Sequence, residues 1–183
     1  MTARQRAWPR QWLMTDERLG GRLWEAVARL PDRHAGIVLR HHATPASERR
    51  MLAERLASLC RDRGLTLGVA VDSTLAEAIG ADFVHNPSTK TSGPFSLSVH
   101  DLEQAVQARR RRAALVFVSP VHATRSHPTG IALGPDKAQA LAQAAAVPAI
   151  ALGGMNAARF EALPPGTFHG WAAIDAWLSD SGD

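Results

Sequence analysis

Short apolar runs alternate along the chain with stretches whose apolar positions recur every three or four residues, and the rhythm repeats eight times. The apolar runs cover 11–16, 36–42, 65–72, 81–86, 95–100, 114–120, 147–154 and 167–173. Short near-continuous apolar runs bounded by polar residues are the pattern of strands buried on both faces. Helical spacing marks 22–30, 47–64, 74–80, 101–112, 135–145 and 156–163,. Start signals accompany several of these: Ser47 with Glu48 after it, Pro135 followed by Asp136, and Asn156 just after a glycine pair,.

Strands alternating with helices predict a parallel sheet, and eight such units predict a small single-domain (β/α)8 TIM barrel. One connection departs from the rhythm. Residues 86–94, NPSTKTSGP, are too few for a crossover helix and rich in turn formers, so the helix between strands 4 and 5 is expected to be reduced to a loop,. A doubly wound sheet of fewer strands is the alternative. The whole chain, 1–183, reads as one barrel domain, with 1–10 as a flexible N-terminal extension.

Composition narrows the class of protein without naming a chemistry. With 183 residues, 45% hydrophobic and 21% charged, the chain is long enough for one real core and is not of disordered composition,. No apolar run approaches the roughly 20 residues of a membrane span, and the basic N-terminus lacks the apolar region of a signal peptide, so a cytoplasmic location is expected. The single cysteine, Cys60, lies at helical spacing and reads as a packing residue in a reducing compartment,.

The net charge of +4 includes the run Arg109–Arg112, which ends a helical pattern where cations suit the helix dipole,. A nucleic-acid surface would interleave aromatics with the basic residues, but aromatics are only 5% of the chain and tyrosine is absent, so no nucleic-acid partner is expected,. The flat helical exterior of a barrel leaves a homo-oligomer open.

In a barrel of this kind, chemistry belongs at the carboxyl ends of the strands. Polar residues collect there: Arg40, His41 and His42 after the second run, His85 after the fourth, Ser98 and His100 in the fifth, Ser119 and His122 near the sixth, Gly153 and Gly154 after the seventh. Two of these ends, the Thr/Arg/Ser/His loop after the sixth run and the Gly153–Gly154 pair before a helix, have the composition of an anion site, since bare amides, hydroxyls and cations suit phosphate. The histidines also permit a transition-metal site, although no pair has tight ligand spacing.

Those stretches carry a resemblance. SPVHATRSHP with GIALG after it, then PAIALGGMN, resemble the sixth-to-seventh-strand pattern of the thiamine phosphate synthase/TenI family, whose other branch is the thiazole tautomerases. LMTD, VLRHH, GADFVHN and SVHDLEQA resemble its first, second, fourth and fifth strands, and the likeness spans roughly 11–178. It implies a transferase of thiamine biosynthesis that couples a hydroxymethylpyrimidine diphosphate to a thiazole phosphate, releases pyrophosphate, and uses Mg²⁺ on the diphosphate. Small phosphorylated substrates are then the partners.

Carried over position by position, the resemblance implies that Arg40 binds diphosphate, that Ser98 is the family's fifth-strand serine, and that Thr124, Ser126 and the Gly153–Gly154 pair bind the thiazole phosphate. His42 and His127 stand where the family has further cations. The family's Asn-Asp pair aligns with Ala70 and Val71, leaving Asp72 one place late, and the acid expected after the fourth strand aligns with Lys90. Mg²⁺ needs carboxylate oxygens, so these replacements remove its grip, and no metal ligand is assigned. Lys90 could instead neutralise phosphate directly. In the tautomerase branch a histidine moves a proton at the position of Pro120; His122, two residues on, is the candidate acid or base here. A tautomerase, or a non-catalytic binder of phosphorylated ligands that has lost the metal acids, are the alternatives.

Overall fold

A computed structural model describes residues 7–124 and 131–178. Eight parallel strands close into a barrel in sequence order: β1 Gln11–Met14, β2 Ala35–Leu39, β3 Thr66–Ala70, β4 Phe83–His85, β5 Phe95–Val99, β6 Leu115–Val118, β7 Ala149–Leu152 and β8 Gly170–Ala173. β1 pairs with both β2 and β8, which closes the cylinder and leaves no free edge,. The expected (β/α)8 barrel is therefore the fold, and the doubly wound sheet is excluded.

The crossover helices are α1 Leu23–Ala28, α2 Ala46–Arg63, α3 Ser73–Ile79, α4 Leu102–Arg110, α5 Pro135–Ala145 and α6 Ala157–Glu161. No helix lies between β4 and β5, where 86–94 run as a loop. Their starts follow from local chemistry: Asp72, Asp101 and Asn156 each accept the backbone N–H three residues on, at 2.9, 2.8 and 2.9 Å,. α2 differs from expectation, because it begins at Ala46 after Pro45, and Ser47 falls inside its first turn instead of capping it. The proline's restricted φ, −52° here, sets the entry that a side-chain cap would otherwise set,.

The lower barrel is packed with aromatic rings. Trp12 is fully buried and meets Phe83 and Phe117 edge-on, each at 5.7 Å between centroids, while Trp8 meets Phe83 at 5.5 Å. Its indole N–H is satisfied by the Pro9 carbonyl at 2.8 Å. Room for these rings comes from glycines in register on the neighbouring strands: a Cβ on Gly36 would lie 2.3 Å from the Trp12 ring, and one on Gly68 2.2 Å from that of Phe83. This filling closes the bottom of the barrel. Trp171 and Trp177 stack on each other at 5.0 Å, and Trp24 carries the Arg55 guanidinium, so these tryptophans are packing residues. Cys60 is buried, and burial pushes its thiol up to about 12, which leaves it inert,.

Candidate active site

The carboxyl ends of the strands surround a cavity of about 370 Å³. Arg40 after β2, His85 of β4, Ser98 and His100 of β5 and its loop, Ser119–Pro120 and Thr124 after β6, and Gly153–Gly154 after β7 all line it. Met14, Leu152, Met155, Ile131 and Ile174 supply apolar walls. Strand alternation explains the choice on β5: Ser98 and His100 are two apart and share a face.

Arg40 enters the cavity already engaged. Its guanidinium contacts the Asp16 carboxylate at 2.5 Å and donates from Nε to the Thr15 carbonyl at 3.1 Å, while its own N–H is accepted by the Thr15 hydroxyl at 3.0 Å. Arg18, also on the cavity wall, pairs with Asp175 at 3.4 Å. Asp175 opens a short 3-10 turn, Asp175–Trp177, and its carboxylate faces this arginine. Each of these cations thus sits beside a carboxylate, so an anionic ligand must share or displace that partner. Burial holds His41 and His42 below the ordinary histidine range, with Glu17 opposing the shift of His41 and Arg40 adding to that of His42.

The residues present do not fit Mg²⁺. Asp72, the acid nearest the family's pair, caps α3 through the Leu75 N–H and pairs with Arg49 at 3.4 Å. Arg49 also donates to the Ala70 carbonyl at 2.8 Å, which fills the aligned position with a cation. Val71 is left-handed, at φ 70°, and carries an exposed apolar side chain. Among the described residues no group of three His, Cys, Asp or Glu is arranged to hold a metal ion.

Other expected residues fall at different distances from the cavity. His42 and Lys90 are exposed and do not line it. His122 does not line it either; its Nε2 is buried with no hydrogen-bond partner, its backbone N–H donates to the Gly153 carbonyl at 3.1 Å, and burial followed by Arg159 lowers its pKa. Ser126 and His127 lie outside the described residues. Gly153 and Gly154 have φ of 96° and 60°, and the backbone of 120–123 packs so closely on them that only hydrogen fits,. Asn86, Asp16 and Arg18 are neighbours of these residues that sequence reasoning did not single out; the alternation of β5 and the strand-end position of Asn86 were the available signals.

His85 is fully buried, within reach of Ser96, Asn86 and Ser98, and burial, with smaller contributions from Arg40, His42 and His100, pushes it down to about 3. The unfolded chain takes this proton near the ordinary 6.5. Stability from the neutral ring is therefore complete above that pH and drains as the pH falls towards 3, by about 1.4 kcal/mol per unit. Urea denaturation should show about 2 kcal/mol lost between pH 6.5 and 5 from this group, and a shallower slope in His85→Asn. Parallel slopes in the two proteins would sink this assignment.

A thiamine monophosphate synthase (TMP-TENI) family profile matches residues 13–177. The chain is 32% identical over 165 residues to the thiamine-phosphate synthase of Chloroflexus aurantiacus, spanning 81% of this chain and 76% of that protein. It is 30% identical over 149 residues to the thiamine-phosphate synthase of Geobacillus kaustophilus, spanning 75% and 67%. Among solved structures, thiamine phosphate pyrophosphorylase from Pyrococcus furiosus superposes with a TM-score of 0.76 at 19% identity, over 93% of this chain and 89% of that one.

Proposed function

Because the chain belongs to the thiamine monophosphate synthase family, we propose that it couples hydroxymethylpyrimidine diphosphate to a thiazole phosphate, forming thiamine phosphate and releasing pyrophosphate. The observation that carries this reading is the convergence of Arg40, Ser98, Thr124 and the Gly153–Gly154 pair, four separate matches to the family's pattern, on one cavity. Charge develops on the departing pyrophosphate as its carbon–oxygen bond breaks, and a guanidinium and N–H donors held in a low-dielectric pocket stabilise it more than water does. Arg40 faces that charge, and Lys90 and His42, exposed and outside the cavity lining, would add donors only if the bound diphosphate extends to them. Thr124, the glycine amides, Ser126 and His127 take the thiazole phosphate, and His122 stands behind the glycine pair.

The family typically uses Mg²⁺, which would neutralise the diphosphate; since the carboxylates here do not fit it, the reaction on this chain rests on its own cations. No described helix is long and apolar enough to cross a membrane. The same reading places the protein in the cytoplasm with small phosphorylated substrates as partners.

The test is formation of thiamine phosphate and pyrophosphate by purified protein, with and without chelator. Arg40→Ala is expected to lower kcat/KM about 100-fold or more. Lys90→Ala should reduce turnover in chelator if that lysine neutralises phosphate; unchanged turnover removes it from the site. Ligand binding without pyrophosphate release would move the protein to the non-catalytic alternative.

A further inference from the structure

Three acids stand at the corner of the barrel where β1 meets β2 and β8, and they are used differently. Glu17 Oε1 accepts the Ala43 N–H at 2.7 Å, which ties it to the loop after β2. Asp16 bridges two arginines: its Oδ2 takes the Arg40 guanidinium at 2.5 Å, and its Oδ1 accepts the Arg18 backbone N–H at 3.2 Å, with the Arg18 Nε 3.7 Å away. Of the three, only Asp175 lines the cavity, and Arg18 Nη2 donates to its Oδ2 at 3.4 Å.

Arg18 and Arg40 both line that cavity, so one carboxylate outside the lining holds two guanidiniums at its wall. Their order follows from the fold, because the 3-10 stretch Glu17–Arg22 leaves β1 between the end of β2, which carries Arg40, and the end of β8, which carries Asp175. The Arg18–Asp175 contact is the loose one. Its side chains keep 34% and 36% of their surface, and an ion pair this exposed contributes little, whereas a guanidinium can grip phosphate oxygens with two parallel N–H donors,. A diphosphate spans two phosphoryl groups and carries more charge than one arginine matches, and the described carboxylates do not assemble a metal site to share that load,.

We propose that Arg18 is a second diphosphate-binding residue: it leaves Asp175 to grip the phosphoryl group that Arg40 does not, and Asp175 competes with the ligand for it. The proposal rests on the synthase reading, in which pyrophosphate is the group released. Asp16 keeps both guanidiniums turned to one ligand, and the two arginines supply the charge neutralisation that a metal ion supplies in a metal-dependent reaction. Because Asp175 offers Arg18 another partner, it also keeps the released pyrophosphate from being held too tightly.

Titration calorimetry with inorganic pyrophosphate in chelator, and with thiazole phosphate as the comparison anion, tests this on protein shown folded by circular dichroism. Wild type should bind pyrophosphate without metal, and Arg18→Gln should weaken that binding at least about tenfold while leaving thiazole phosphate within about twofold. Arg18→Lys, which keeps the charge but not the fork, should fall between. Asp175→Asn should tighten pyrophosphate about two- to fivefold, a gain that a disturbed fold would not produce and that should vanish in Arg18→Gln/Asp175→Asn. Pyrophosphate affinity unchanged in Arg18→Gln, an equal loss of both anions, no gain in Asp175→Asn or a gain undiminished in the double variant overturns the proposal, as does binding by wild type only when Mg²⁺ is added. Formation of thiamine phosphate by the same wild-type preparation leaves the synthase reading standing in each of these cases. Absence of both pyrophosphate binding and product overturns both.

Discussion

Trp12→Ala should cost about 3–5 kcal/mol of folding stability, measured as a fall in the urea midpoint at constant slope. The indole is fully buried in the barrel interior, it meets Phe83 and Phe117 edge-on at 5.7 Å, and its N–H is held by the Pro9 carbonyl. The neighbouring strand leaves room for it, since Gly36, its register partner, offers no Cβ where the ring lies. Truncation therefore leaves a cavity that closed β-strands cannot collapse to fill. Against a typical total of about 5–15 kcal/mol, such a loss removes much of the margin. Trp12→Phe, which keeps an aromatic contact, should lose distinctly less; equal losses, or a loss below about 1 kcal/mol in Trp12→Ala, would contradict this account of the core.

Gly153→Ala should destabilise the protein by roughly 2–5 kcal/mol and reduce turnover beyond what the unfolded fraction explains. Two costs add. A residue with a Cβ at φ 96° is strained by about 1–2 kcal/mol, and the new Cβ would lie 2.7 Å from the Pro120 Cα, a backbone atom that must shift at an overpacking cost of about 1–3 kcal/mol,. That shift moves Pro120 and Thr124, which line the cavity with Gly153 itself. The measurement is kcat/KM at a temperature where the variant is shown folded by circular dichroism. Wild-type stability and kinetics in the alanine variant would mean that the β6–β7 turn tolerates more freedom than its packing allows.

Much of the fold was legible because its signals are local. Each of the eight apolar runs overlaps an observed strand, and Asp72, Asp101 and Asn156 cap helices by bonds to an N–H three residues away. The loop at 86–94 was legible for the same reason: its length alone forbids a crossover helix. Boundaries were less so. The run 81–86 contains only Phe83–His85 as strand, because pairing with β3 and β5, not apolarity, ends a strand. Ser47 had the composition of a cap, but Pro45 set the start of α2 earlier.

The site divides in the same way. Arg40, Ser98, Thr124 and the glycine pair could be placed at strand ends from the sequence, and the barrel brings them to one cavity. Their chemical state could not be read, since it depends on partners distant in the chain. Asp16 meets Arg40 from 24 residues away, and Arg49 meets Asp72 from 23. The amide of Asn86 reaches Ser98, 12 residues on, only because β4 lies beside β5. The sequence by itself determined the strands, the helices, the order in which they follow and the residues available at their ends, since periodicity and capping act over a few residues. Closure of the barrel decided which charges are matched by carboxylates and which polar side chains meet across neighbouring strands, because those contacts join residues far apart in the chain.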